Sequence, residues 1–308
     1  MSTYLVAFIV GEFDFLEDTI CNDLKVRKEQ GKFALDVAVK SLPFYEKFFS
    51  VSYPLPKMDL IAIADFASQA MENWGLVTFR ETCLLCDEKN TVSQRKQWIS
   101  LVVAHESAHQ WFVLLNICAL QICIPNLIFV TDVTSGALAF DGLHSSHPIE
   151  VSVGPPHEVT EIFDAISYNK GAAVIRMLYE YIGDECFSKV LSLYLKKHSY
   201  GNTVTEDLWA ALEEVSKKPI GKIMSTWTMQ KEFPVIPVNS LQEGNNRILT
   251  LSQEKFCSNG KLSEEDKKVL WIVPISISTQ SDPSKEAFKV LLESKNTEVV
   301  LNGVSAND

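Results

Sequence analysis

The sequence predicts an α+β chain, and three observations carry that reading. Between Gln97 and Phe112 apolar positions recur every three or four residues, the period of a helix with one buried face. Helical patterns return over about Glu158–Tyr181, Cys186–His198 and Thr205–Ser216. Beyond Pro234 and Pro237 the pattern changes to short alternating runs divided by polar turns, the period of strands.

Taken in order, residues 4–10 form a short apolar run closed by Gly11 and read as a strand. Residues 31–40 carry helical spacing through Phe33, Leu35, Val37 and Ala38, and Pro43 marks the expected stop. Leu60–Ile63 and Leu76–Phe79 are strand-like runs flanking Asp65–Gly75, which is expected on a loop or sheet edge. In the helix at 97–112, His105 and His109 stand four apart and share a face. Thr205, followed by acidic residues, is the expected N-cap of its helix. The tail gives strands near 248–251, 269–277, 288–292 and 299–301, so an all-β unit is expected from about 235.

A chain of 308 residues is long enough for one large domain or two smaller ones. With 46% hydrophobic and 22% charged residues it has the mix of a folded globular protein, not of a disordered one. Acidic residues outnumber basic ones 39 to 28 without a dense Lys/Arg stripe, so its field repels nucleic acid and no such partner is expected. Seven cysteines are an odd number without the spacing of a disulfide scaffold, which points to reduced thiols in the cytoplasm. No basic stretch precedes the apolar run at 5–10, so it does not read as a secretory signal. Trp111–Val130 is uncharged, but Asn116, Gln121, Pro125 and Asn126 interrupt it, so a buried core segment is expected rather than a membrane span. Cys83, Cys86, Cys118 and Cys123 lack the glycine-rich knuckles of a four-thiolate zinc site and read as buried free thiols.

His105-Glu106-Ser107-Ala108-His109 fits H-E-x-x-H, in which two imidazoles one turn apart chelate a zinc ion and the glutamate between them activates a water. Alone, the pattern also arises on ordinary core helices. A second motif, Gln69-Ala70-Met71-Glu72-Asn73-Trp74-Gly75, precedes it. The bland reading of Glu72 is a solvated loop acid.

Together, in this order, the two motifs resemble the gluzincin zinc aminopeptidases, whose G-A-M-E-N signature has Gln69 here in place of glycine. Residues 1–8, 53–57, 147–151, 162–168 and the stretch around Trp271–Ile275 are similar to the puromycin-sensitive branch of that family. The resemblance implies a thermolysin-like catalytic domain at 18–235, internally shortened at 113–128. It also implies the end of a β-domain at 1–17 and a partial β-sandwich at 236–308. It implies one zinc per chain held by His105 and His109, with Glu106 as general base. The edge segment Gln69, Ala70, Met71, Glu72 and Asn73 would bind substrate, with Glu72 on the free α-amino group, a charge-assisted contact that selects chain ends. Tyr168 would donate to the oxyanion. The implied partners are peptides with a free N-terminus.

The family's third ligand is a glutamate nineteen positions after the second histidine, and that position is Ile128 here. No glutamate occurs between Glu106 and Glu150, so the expectation is an aminopeptidase with impaired zinc chemistry. The alternative is a pseudo-peptidase that retains only peptide binding. Asp132, Asp141 and Glu150 are the acids available as substitutes.

Overall fold

The computed structural model describes residues 5–11, 15–18, 21–25, 29–111, 129–152, 164–283 and 285–305, with backbone alone at 15–18 and 21–25. These mix helices and small sheets, compatible with α+β. The chain forms two compact units, Met1–Pro125 with Asp184–Ala211, and Asn126–Gly183 with Leu212–Asp308.

The first unit is built on a mixed sheet of five strands: β1 (Phe15–Asp18), β2 (Cys21–Lys25), β3 (Asp59–Ile63), β4 (Ala70–Met71) and β5 (Leu76–Arg80). Their spatial order is β1-β2-β3-β5-β4, with β2, β3 and β5 parallel and β4 running antiparallel at one edge. Helices α1 (Lys32–Phe49), α2 (Glu81–Leu84) and α3 (Ser93–Ala108) belong to the same unit. Ala38 and Leu42 of α1, Leu60 of β3, Phe79 of β5 and Val103 of α3 share one buried cluster. The Tyr45 hydroxyl of α1 donates to the Ala104 carbonyl of α3 at 3.0 Å. The Ser188 hydroxyl of α6 (Asp184–Lys197) donates to the Phe48 carbonyl at 2.6 Å.

Three local expectations need correction here. Residues 5–10 form no strand: Leu5 is buried and its carbonyl accepts the Trp74 N–H at 3.0 Å, but Phe8 is 91% and Val10 99% exposed. An apolar run without a neighbouring ladder gains nothing from an extended pairing geometry. Pro43 does not stop α1, which runs on to Phe49. A helix-interior proline costs about 3 kcal/mol. Tyr45 and Phe49 are buried on the far side of it, and full burial of one such side chain returns about 1.5–3 kcal/mol. The period on that face therefore outweighs the proline. Helix α3 ends at Ala108, with His109 as its cap residue; Phe112 lies outside the described residues.

The second unit contains a π-helical turn Phe129–Thr134, α4 (Ser135–Asp141), a second π-helical turn Ile166–Lys170, α5 (Gly171–Ile182) and α8 (Ile220–Thr228). The single helix expected over 158–181 is thus a π turn followed by α5, and 158–163 lie outside the described residues. Helix α7 (Thr205–Ser216) begins at Thr205 itself, so this residue is not the N-cap; the Val204 N–H is instead met by the Asp207 carboxylate at 3.0 Å.

The strands of the tail are β6 (Pro234–Val235), β7 (Val238–Glu243), β8 (Asn246–Ser252), β9 (Glu254–Lys255), β10 (Val273–Ile277), β11 (Phe288–Leu292) and β12 (Asn296–Asn302). They form the antiparallel sheets β12-β8-β7, β10-β11 and β6-β9. Trp271 is fully buried, and its backbone is clamped by the Gln253 amide, which accepts the Trp271 N–H at 2.8 Å and donates to its carbonyl at 3.0 Å. That clamp occupies the backbone where a longer strand was expected, so β10 begins only at Val273.

No described helix is long and apolar enough to cross a membrane, and residues 112–128 of the uncharged run lie outside the described residues. Cys83, Cys86, Cys186 and Cys257 are free thiols; Cys118 and Cys123 lie outside the described residues.

Candidate active site

The histidines reach their places through backbone geometry. Residues four apart on a helix lie one turn above each other, and the His109 N–H bonds to the His105 carbonyl at 3.3 Å, so the turn holds up to His109. The two Nε2 atoms face each other at 3.1 Å, with the rings nearly perpendicular at 83°. Glu106, between them, is buried, and its Oε2 has no hydrogen-bond partner among the described residues.

The second motif is brought to the same place by the sheet edge. β4 pairs with β5 through Ala70↔Phe79 and Met71↔Thr78, and the Arg80 N–H donates to the Gln69 carbonyl at 2.9 Å. The chain then turns at Asn73, whose buried side-chain oxygen accepts the Thr78 hydroxyl at 3.2 Å. Gly75 has φ 73°, the left-handed region that favours glycine, and a Cβ there would also displace the Leu55 Cδ1 methyl at 2.6 Å. Buried Gln110, directly after the histidine motif, accepts the Gly75 N–H at 3.0 Å and ties the loop to the end of α3. Gln110 carried no motif signal in the sequence. The ligand atoms of Glu72, Glu106 and His109 all lie within 4.8 Å of one another.

Burial, with the neighbouring His109 imidazole as the smaller cause, pushes His105 down to about 3, so its ring is neutral at neutral pH. Burial, then the Glu72 charge, holds the Glu106 carboxyl well above the usual carboxylate range. Glu72 and the Glu106 carboxyl beside the neutral His105 ring and the His109 imidazole form a place that a bound cation would stabilise. The donor set fits zinc: two nitrogens on one tetrahedral zinc at about 2.0–2.1 Å stand about 3.3 Å apart, close to the observed 3.1 Å.

Tyr168 lies on the π turn Ile166–Lys170 of the second unit, its N–H bonded to the Asp164 carbonyl at 3.0 Å. The first unit thus brings together His105, His109, Glu106 and Glu72, while Tyr168 belongs to the other body. Ile128 lies outside the described residues. Among the substitute acids, Asp141 is already engaged: its carboxylate pairs with the Lys170 ammonium at 3.0 Å and accepts the Ser146 hydroxyl at 2.7 Å and the Glu232 N–H at 2.8 Å.

A helix that presents two imidazoles and a buried glutamate beside a second carboxylate has the donor arrangement of a metallohydrolase. The chain belongs to peptidase family M1: the profile described as "Peptidase family M1 domain" matches residues 33–115 and 113–227. The chain is 46% identical to "Aminopeptidase M1" of Arabidopsis thaliana over 324 aligned positions, covering 96% of this chain and 36% of that protein. It is 41% identical to "Puromycin-sensitive aminopeptidase" of Caenorhabditis elegans over 338 positions, covering 100% and 35% respectively. With "Aminopeptidase 2, mitochondrial" of Saccharomyces cerevisiae the identity is 40%, over 91% of this chain and 32% of that protein. The chain spans about a third of the length of these curated relatives.

Proposed function

We propose that this chain is a zinc aminopeptidase by descent, built to remove the N-terminal residue of peptides, and that its catalysis is impaired. The observation that carries the reading is the 3.1 Å approach of His105 and His109 Nε2 beside buried Glu106. His105 and His109 would hold the zinc, which when bound supplies Lewis acidity and an acidified water. Glu106 takes the proton of the attacking water and returns it to the leaving amine. The Glu72 carboxylate holds the substrate ammonium, so hydrolysis falls at the first peptide bond. Residues 69–73, on the free edge of the sheet, accept the substrate backbone by strand addition. The Tyr168 hydroxyl donates to the developing oxyanion. A cytosolic setting, read from the sparse free thiols, belongs to the same proposal.

Impairment follows from coordination number, because catalytic zinc of this kind uses three protein ligands and the motif supplies two. Two findings support a shortening of the chain, the first of them near the site. The family profile matches in two pieces that meet at 113–115, and the worm relative aligns over 338 positions against 308 residues here. The same findings favour the second reading, a pseudo-peptidase that binds peptide ends without turnover.

Metal analysis of the purified protein, then assay on an aminoacyl-arylamide with and without added zinc, separates these readings. The expected result is substoichiometric zinc and slow turnover that added zinc raises and Glu106→Gln abolishes. Full turnover without added zinc would overturn the impairment. Zinc binding without turnover, or neither, would leave only the pseudo-peptidase.

A further inference from the structure

The second unit holds another convergence of metal-ligating side chains, formed by residues far apart in the sequence. Ligand atoms of His144, Glu232 and Cys257 all lie within 4.8 Å of one another. Three backbone ties hold their segments together. The Ser258 N–H donates to the Gly142 carbonyl at 2.9 Å, the Glu232 N–H to Asp141 Oδ1 at 2.8 Å, and the Phe256 N–H to the Phe233 carbonyl at 2.9 Å. The Phe233 and Phe256 rings stack at 4.8 Å beneath this frame. The three side chains are therefore placed by the fold rather than by chance encounter of mobile groups.

The charges around Glu232 leave room for a cation. Its side chain is 2% exposed and its Oε2 pairs with the Lys255 ammonium at 2.7 Å, but Lys255 is shared with Asp266 at 2.6 Å. The other ammonium of the network, Lys170, is bound to Asp141 at 3.0 Å and to the Gln230 and Glu232 carbonyls. Three carboxylates thus divide two ammoniums. The Oε2 of Glu232 is drawn into the Lys255 pair, and the same carboxylate reaches His144 and Cys257 within the 4.8 Å cluster. The Lys231 ammonium is spent at the solvent side on the His144 carbonyl at 2.9 Å. The Cys257 thiol donates to Asn259 Oδ1 at 3.2 Å, and the exposed His144 ring opens the place to solvent.

We propose that His144, Glu232 and Cys257 form an accessory site for one divalent cation of the zinc class, separate from His105 and His109. An imidazole, a carboxylate and a thiolate are the borderline-soft donor set that selects zinc or cobalt over magnesium or calcium. Binding releases the Cys257 thiol proton to water, replaces the Asn259 contact, and adds a second cation to a network in which Lys255 is shared between Glu232 and Asp266. With three protein ligands and His144 at the surface, the fourth position faces solvent. The proposal does not rest on the peptidase reading.

Cobalt(II) titration of the full chain carrying His105→Ala and His109→Ala tests it, because these variants remove the first site. The expected signal is a near-ultraviolet thiolate-to-cobalt charge-transfer band that saturates at one ion per chain and is displaced by zinc. It should vanish in Cys257→Ser. In His144→Ala, a surface change that leaves the core intact, affinity should fall on the order of tenfold or more, as loss of a direct ligand exceeds loss of an outer-shell partner. Absence of the band, or a band unchanged in both variants and so arising from another thiol, would overturn the site.

Discussion

Gln110 and Gly75 are joined by a 3.0 Å hydrogen bond from the Gly75 N–H to the Gln110 side-chain oxygen, which couples the end of the histidine helix to the loop that carries Glu72. Gln110 is 1% exposed, so its removal leaves a cavity and deprives the half-buried Gly75 N–H of its partner. Gln110→Ala is expected to destabilise the protein by about 1–3 kcal/mol, measured by denaturant melts. Peptide-end binding should weaken with it, since the loop loses its register to α3. A stability within a few tenths of wild type would show that the tie carries no weight.

Glu72 stands close to both Glu106 and His109, so it could act on the substrate or on the metal. As the substrate anchor, its change to Gln should raise KM for an aminoacyl-arylamide by about tenfold or more, the order expected for loss of a charge-assisted bond. Bound zinc should stay unchanged. Zinc loss on dialysis of Glu72→Gln, with KM unaltered, would instead make Glu72 the missing third ligand.

Glu106 predicts a pH dependence of the metal-free protein. Its carboxyl is held well above the ordinary glutamate value by burial and then by Glu72. The unfolded chain therefore releases this proton before the folded one does, and folding stability falls as pH rises from about 4.5 toward the higher folded value. Glu106→Gln, which cannot ionise, should raise the melting temperature of the metal-free protein at pH 7 and leave it nearly unchanged near pH 4. Added zinc should reverse the order at pH 7 by favouring the ionised glutamate of the wild type. Equal melting at both pH values would remove the buried-acid explanation.

What the sequence made legible is governed by how local the cause is. The helix carrying His105 is legible because Val102, His105 and Ala108 keep helical spacing, and the extent of α7 at Thr205–Ser216 is legible although its N-cap is not Thr205. The edge placement of Glu72 was legible from two strand-like runs flanking a loop. What was missed is non-local. Pro43 was overruled by Tyr45 and Phe49, whose burial depends on partners elsewhere in the fold. Val6, Phe8 and Val10 have a strand's composition without a ladder to join. Gln110 gained its role from a glycine that precedes it by a whole helix, and His144, Glu232 and Cys257 share no spacing that a motif could name.

The strand β4 comprises only Ala70 and Met71. A guest strand laid along so short a margin can zip up for barely one repeat of the backbone ladder before the support runs out. On the proposed peptide-binding reading, such a margin holds the tip of a chain and ignores everything behind it, which makes for indifference to length. It also gives a neighbouring copy too little template to stick to, so this edge does not invite a fibre.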